Sequence, residues 1–249
     1  HLIQFAAEWV RGRGLAVIYG DTDSLFVDPR EEDAERALAL ARELRVAITA
    51  AVAEHVRTTH RCDSHLELEF ETLYRRFFMP ELRGGKGGSK KRYAGLVASD
   101  AGEEIEFVGL EAVRRDWTEV SKRLQQGLLD LAFHDRPVAE YVRDFVRRLR
   151  AGEMDDLLVY KKALRKSLDA YTKTTPPHVR AARLSGNAGR IVEYVMTASG
   201  PEPAGAATAP FDYEHYVEHQ LKPVADAILG LLGEEFDDLL GKRKQLSLF

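Results

Sequence analysis

Cysteine is almost missing from this chain. Cys62 is the only one in 249 residues, which excludes an internal disulfide framework and makes a reducing compartment the expectation. No apolar run approaches the ~18 residues needed to cross a membrane, and no charged segment followed by an apolar core opens the chain as a secretory signal would. His1 stands where a methionine would begin a complete protein, so a fragment is expected. There is no internal repeat, P-loop or nucleophile elbow. His55 and His60, like His215 and His219, are spaced as helix neighbours without an accompanying H-E-x-x-H pattern, so surface or core histidines are the better reading.

What is present is an ordinary globular composition, 45% hydrophobic and 31% charged with a net charge of −4. That is enough chain for one large domain or two small ones. The charge is segregated. Residues 83–92, "RGGKGGSKKR", hold five basic side chains and no acid, and residues 161–183 hold seven against Asp169 alone. Acid collects in "EEDAE" at 31–35 and "EEFDD" at 234–238. Segregation suits a face that meets phosphates, although such runs are also what plain solvated faces look like.

Hydrophobic periodicity predicts a long helix over 31–60. Strict alternation at Leu66, Leu68 and Phe70 predicts a strand buried on one face. Further strands are expected at 92–98 and 105–111, giving a small antiparallel sheet around one turn. From Trp117 the period is helical to about 150, interrupted at "HDRP" (134–137), where Pro137 should sit in the first turn of a new helix. Leu157 to Tyr171 is short and basic. The prolines of "TTPPH" exclude a helix running through them, a helical turn is expected at 178–184 and a strand at 191–196. Residues 198–210 read as a proline-rich loop, and 213–240 as a helix pair broken by Pro223.

The stretch "LAVIYGDTDSLFVDP" (15–29) carries the chemistry. Leu15 to Tyr19 and Ser24 to Val27 are rich in β-branched and aromatic residues and bounded by turn formers, so they read as two strands of a tight hairpin. Asp21 and Asp23 at its tip can point at one spot. Hard divalent cations such as Mg²⁺ take carboxylate and phosphate oxygens, which makes a metal site possible. Taken alone, a D-x-D turn is more often two aspartates capping their own backbone.

Further motifs remove that isolation. "YGDTDS" between apolar strands resembles the palm-domain metal motif of family B DNA polymerases. "KKRYAGL" (90–96) resembles the family's primer-binding lysine–tyrosine motif, "GLEAVRRDW" (109–117) its palm-to-thumb junction, and "FDYEHYVEHQLKP" (211–223) a late thumb helix. "KKALRKSLDAYTKTTPPHVRAARL", "SGPEP" and the ending "QLSLF" are most similar to the bacterial DNA polymerase II branch. The resemblance implies an α+β fold, an antiparallel palm sheet with the metal hairpin and a packing helix over 1–115, followed by a mostly helical thumb over 116–240 and a tail over 241–249.

By the same resemblance, Asp21 and Asp23 are catalytic metal-site residues for two Mg²⁺ ions. Glu71 falls where a third acidic residue often stands, and it reads equally as part of a solvent face with Glu67 and Glu69. Lys91 would reach the primer's minor groove near the growing end, with Lys90, Arg92 and Tyr93 as further DNA-binding residues, and Arg114 and Arg115 would hold the primer backbone. Lys161, Lys162, Arg165 and Lys166 would meet duplex phosphates, a solvated basic helix face being the alternative. Gln245, Leu246, Ser247, Leu248 and Phe249 resemble a bacterial sliding-clamp-binding peptide. Implied partners are primer–template DNA, deoxynucleoside triphosphates and the clamp, in a bacterial cytoplasmic setting with no membrane. The family's upstream palm motifs and exonuclease motifs are not found, so the chain is expected to carry half an active site.

Overall fold

The computed structural model describes residues 1–80, 91–99, 102–172, 175–186 and 189–242. The chain divides into two units, His1–Glu106 and Phe107–Phe249. The fold is α+β, with small antiparallel sheets among helices.

The first unit opens with helix α1 (Leu2–Arg11), which the sequence reading did not anticipate. Its apolar residues Leu2, Phe5, Ala6, Trp9 and Val10 follow helical spacing and form one wall of the core. The expected hairpin follows as β1 (Ala16–Gly20) and β2 (Leu25–Asp28), paired antiparallel. Helix α2 (Ala34–His60) spans 27 residues and starts where Asp33 caps it, the carboxylate accepting from the Arg36 N–H at 2.9 Å. Ile48, Val52 and Val56 of α2 meet Ala6 and Val10 of α1, with Val17, Leu25 and Val27 of the hairpin packed against them.

A bulge shapes the hairpin. Val17 pairs with Val27, but Tyr19 pairs with Phe26, so Ile18 is an extra residue without a partner. Without it, residues 17 and 19 would share a face. With it, Val17 and Val27 face the helix core while Tyr19 joins Phe26 on the other side, their rings 5.6 Å apart.

The strand expected at Leu66 does not form. Residues 63–74 carry no ladder, and Leu66 is 56% exposed. Leu68 alone is drawn onto α2, packing on its core and donating its N–H to Thr49 Oγ1 at 3.3 Å. Pairing begins ten residues later, at β3 (Arg76–Phe78), which lies antiparallel to β4 (Tyr93–Ser99), with β5 (Gly102–Val108) on β4's other edge. The third strand thus precedes its expected place, and "GLEAV" becomes a short 3₁₀ turn at Glu111–Val113.

The second unit holds helices α3 (Glu119–Phe133) and α4 (Ala139–Arg150). Pro137 lies two residues before α4 rather than in its first turn, because Val138 is the cap. This unit is less purely helical than expected. β6 (Tyr160–Ala163), β7 (Ile191–Thr197) and β8 (Gly200–Pro203) form an antiparallel sheet in that order. Strand β8 replaces part of the expected loop over 198–210: Pro201 and Pro203 cannot donate to a ladder, yet on an edge strand with alternate prolines none is needed there. Helix α5 (Pro177–Ser185) begins with Pro177 in its first turn.

The last helical region is α6 (Tyr213–Tyr216), a π-turn at Val217–Leu221, α7 (Lys222–Leu229) and α8 (Phe236–Leu239). Pro223 explains the π-turn. It has no N–H for the carbonyl four residues back, at His219. The Gln220 side chain takes that acceptor instead, donating from Nε2 at 3.0 Å. Its other end, Oε1, accepts from Thr118 Oγ1 at 2.8 Å and from the Thr118 N–H at 3.3 Å. One buried glutamine so ties the irregular turn to the start of α3.

Candidate functional site

The Asp21 N–H donates to the Ser24 carbonyl at 3.0 Å, closing the hairpin turn, and Asp23 stands exposed beyond it. Two features bring the basic motif to this turn across more than sixty intervening residues. The Lys91 N–H donates to Tyr19 Oη at 3.0 Å, and Lys91 Nζ lies 3.2 Å from Asp21 Oδ2. The Asp21 side chain is 21% exposed and that of Lys91 69%, so the pair opens to solvent on the lysine's side.

Partial desolvation alone would raise the Asp21 carboxyl. Hydrogen bonds from the Thr22 N–H and from Lys91, with the lysine's charge, outweigh it and hold the group below the ordinary carboxylate range. The Lys91 ammonium is raised in turn, chiefly by its bond and attraction to Asp21, with Asp23 adding to the pull. The turn therefore concentrates negative charge and already draws one cation to it.

An aromatic cluster supports the turn from below. Phe26 meets Tyr93 edge-on at 5.1 Å and Phe77 at 5.3 Å, and Phe77 meets Tyr74 at 5.5 Å. Tyr74 Oη donates to Glu106 Oε2 at 2.7 Å, and burial followed by that acidic neighbour raises its hydroxyl strongly. Gly95 makes room for the Tyr74 ring, which occupies the space a side chain at 95 would need. Tyr93 is half-buried here, so its ring is structural and its hydroxyl, raised by burial, is the polar part. Arg92 is also half-buried.

Glu71 is exposed on the irregular segment, and its charge is felt at the Tyr93 hydroxyl. Among the described residues no three His, Cys, Asp or Glu side chains converge closely enough to hold a metal ion. Asp21 and Asp23 fit Mg²⁺ by donor chemistry, as two hard oxygen ligands, but they supply only part of an octahedral set, and Lys91 occupies one Asp21 oxygen here. Lys90 and the five residues 245–249 lie outside the described residues.

In the second unit, Arg114 and Arg115 are presented by the 3₁₀ turn, and Gln125 of α3 fixes it. Gln125 Oε1 accepts from the Ala112 N–H at 2.7 Å, and Nε2 donates to Glu111 Oε2 at 2.8 Å, all three residues being buried. Arg115 is exposed. Arg114 makes a two-pronged bond to Asp116, Nε to Oδ1 at 2.9 Å and Nη2 to Oδ2 at 2.8 Å. That bond raises Arg114 and lowers Asp116. Lys162 Nζ is 3.9 Å from Asp116 Oδ2, which places Lys162 near the acid that braces Arg114.

The helix-face alternative for Lys161, Lys162, Arg165 and Lys166 is corrected by the sheet. Lys161 and Lys162 lie on β6, where Lys161 pairs across the strands with Glu193 at 2.8 Å. Arg165 and Lys166 follow in the loop, where Tyr171 accepts from the Arg165 N–H at 3.2 Å and carries Lys166 Nζ 4.5 Å over its ring. Tyr19, Gln125, Asp116 and Tyr171 were not singled out from the sequence. Only Asp116, beside the arginines it orients, gave a local signal.

Residues 3–232 match the DNA polymerase family B profile. The chain belongs to DNA polymerase family B. It is 42% identical over 253 residues to DNA polymerase II of Escherichia coli, covering 96% of this chain and 32% of that protein. It is 33% identical to DNA polymerase 2 of Aeropyrum pernix, covering 94% of this chain and 28% of that one. The family B DNA polymerase structure from Pyrobaculum calidifontis aligns over 94% of the chain with a TM-score of 0.60 and 28% identity, covering 29% of that chain. The chain thus spans about a third of the length of these family B relatives.

Proposed function

We propose that this chain supplies the metal hairpin, primer grip and thumb of a DNA-directed DNA polymerase, with residues 1–115 as the later part of the palm, 116–240 as the thumb and 241–249 as a tail. The observation that carries the reading is the Lys91–Asp21 contact, which supports a single locus for the metal motif and the primer-binding motif. Asp21 and Asp23 hold the metal, with Glu71 a nearby exposed acid. Bound there, two Mg²⁺ ions would neutralise charge on the attacking and leaving oxygens as the primer 3′-oxygen bonds the α-phosphorus and pyrophosphate departs.

The chain's own residues do the holding. Lys91, close to the turn and open to solvent, reaches the primer's growing end, with Lys90, Arg92 and Tyr93 beside it. A polymerase must grip every sequence alike, so such contacts belong to phosphates and the degenerate minor groove. Arg114, braced on one edge by Asp116, has its remaining N–H groups for a phosphate, and Arg115, Lys161, Lys162, Arg165 and Lys166 extend the cationic surface. The tail peptide Gln245–Phe249 docks on the sliding clamp, in a repair and replication-restart polymerase.

A second reading concerns the 249 residues by themselves. Two carboxylates on one turn, with no third group converging among the described residues, favour a non-catalytic module that grips primer–template and clamp. The test is primer extension in the full-length polymerase. Asp21→Ala or Asp23→Ala is expected to lower extension by orders of magnitude while duplex binding persists. Unchanged extension rejects the catalytic role. Extension by the 249-residue chain alone would reject the half-site reading.

A further inference from the structure

We propose that Tyr19 is a positioning residue for Lys91, and that its hydroxyl acts on primer binding through the backbone of that lysine. The proposal rests on the reading of Lys91 as primer grip. Lys91 has φ +57°, one of four non-glycine residues described in the left-handed region. A lysine does not hold that conformation for its own sake, because its Cβ crowds the following carbonyl. What holds it is external: the Lys91 N–H is bonded to Tyr19 Oη at 3.0 Å, and Nζ is drawn to Asp21 at 3.2 Å. The two anchors lie two residues apart on the hairpin and grip the lysine at both ends.

The hairpin is built to deliver that hydroxyl. The bulge at Ile18 turns Tyr19 away from the helix core that holds Val17 and Val27, and onto the face of Phe26. Phe26 in turn packs on Tyr74, Phe77 and Tyr93, so the Tyr19 ring stands against a rigid aromatic layer rather than in solvent. Tyr93 is two residues beyond Lys91 on the strand that leaves the basic motif. The same layer therefore fixes both the tyrosine and the backbone it bonds. Metal turn and primer grip share one rigid frame, and the Tyr19 hydroxyl is the joint between them.

The test uses the full-length polymerase with Tyr19→Phe, Lys91→Met and the double variant. Removing one hydroxyl is expected to raise the primer–template Kd about three- to tenfold, the scale of one hydrogen bond, with the melting temperature little changed. Because Tyr19 acts through Lys91, the double variant should bind no more weakly than Lys91→Met alone. Multiplying effects would overturn the proposal, since they would mean two independent contacts. So would unchanged binding in Tyr19→Phe. Hydrogen exchange at the Lys91 amide without DNA separates the two layers of the argument: it should accelerate in Tyr19→Phe, and an unchanged rate also overturns the proposal. If exchange accelerates but Lys91→Met binds primer normally, what fails is the reading of Lys91 as a grip, and the positioning role falls with it for that reason.

Discussion

Gly95→Ala puts the packing beneath the hairpin to a quantitative test. Gly95 sits in β4 with no left-handed backbone to favour glycine. On backbone grounds alone, alanine there should stabilise by ~0.4–1 kcal/mol, because it restricts the unfolded chain. The side-chain environment says the opposite. A Cβ at 95 would lie 2.6 Å from Tyr74 Cγ and closer still to Cδ1 and Cε1, against 3.4 Å or more for ordinary contact. The clash is with the ring itself, near its root, not with the tip of a flexible chain. The ring has little freedom to retreat, held by Glu106 at its hydroxyl and by Phe26, Phe77 and Tyr93 around it. Overpacking of this kind costs ~1–3 kcal/mol, so the net effect should be destabilising by about 1–2 kcal/mol after the backbone gain. Urea denaturation of the 249-residue chain, followed by tryptophan fluorescence with Trp9 packed on the first unit's core, reads it directly. Adding Tyr74→Leu should recover part of the Gly95→Ala loss while being destabilising in the wild-type background. A Gly95→Ala chain as stable as wild type would refute the steric argument.

Gly127→Ala offers the contrast: its Cβ would meet the Tyr141 ring at 2.5 Å from Cζ, the far end of a side chain that can swing away at the loss of its 3.2 Å bond to the Arg123 carbonyl. That loss roughly offsets the ~1 kcal/mol gained by removing a helical glycine, so denaturation should find stability within about 1 kcal/mol of wild type. Arg114→Ala in the full-length polymerase should weaken primer–template binding for every sequence alike and lower the slope of log affinity against log salt by about 1, as the loss of one phosphate contact requires. A changed base preference would contradict that role. His215 is half-buried, bonded to Tyr160 Oη at 3.0 Å, and its pKa is lowered from 6.5 by burial and then by His219, with Asp212 opposing. The unfolded chain thus binds more protons there than the folded one, so stability should be complete above about pH 6.5 and fall as pH drops below it. His215→Gln should flatten that part of the pH–stability curve.

How far the sequence could be read depended on where each constraint lay. The hairpin was legible because β-branched strands and turn residues act within a few positions. Helix α2 was legible because its period persists for 27 residues. Alternation at Leu66, Leu68 and Phe70 misled, since a period of two satisfies a strand but does not create its partner. Pro201 and Pro203 hid β8 because a proline excludes a ladder only on its bonded side. The Lys161 region carried too few residues for a period, and β6 is defined by its pairing with β7. At the site, the carboxylate and basic motifs were visible as residue types. The bond between Tyr19 and Lys91 was not, because it depends on a single-residue bulge and a left-handed lysine. Nor could the pattern show that Gln220 would answer the carbonyl that Pro223 leaves at His219.

The central claim is that one metal-binding locus unites the Asp21–Asp23 turn with Lys91. The most direct measurement replaces Mg²⁺ with Fe²⁺ in the full-length polymerase bound to primer–template, then maps where ascorbate-driven radicals cut the polypeptide. The account predicts cuts within residues 20–24 and beside residue 91, both lost together in Asp21→Ala, Asp23→Ala protein. Cuts elsewhere only, or cuts at these positions that survive the double substitution, would contradict it.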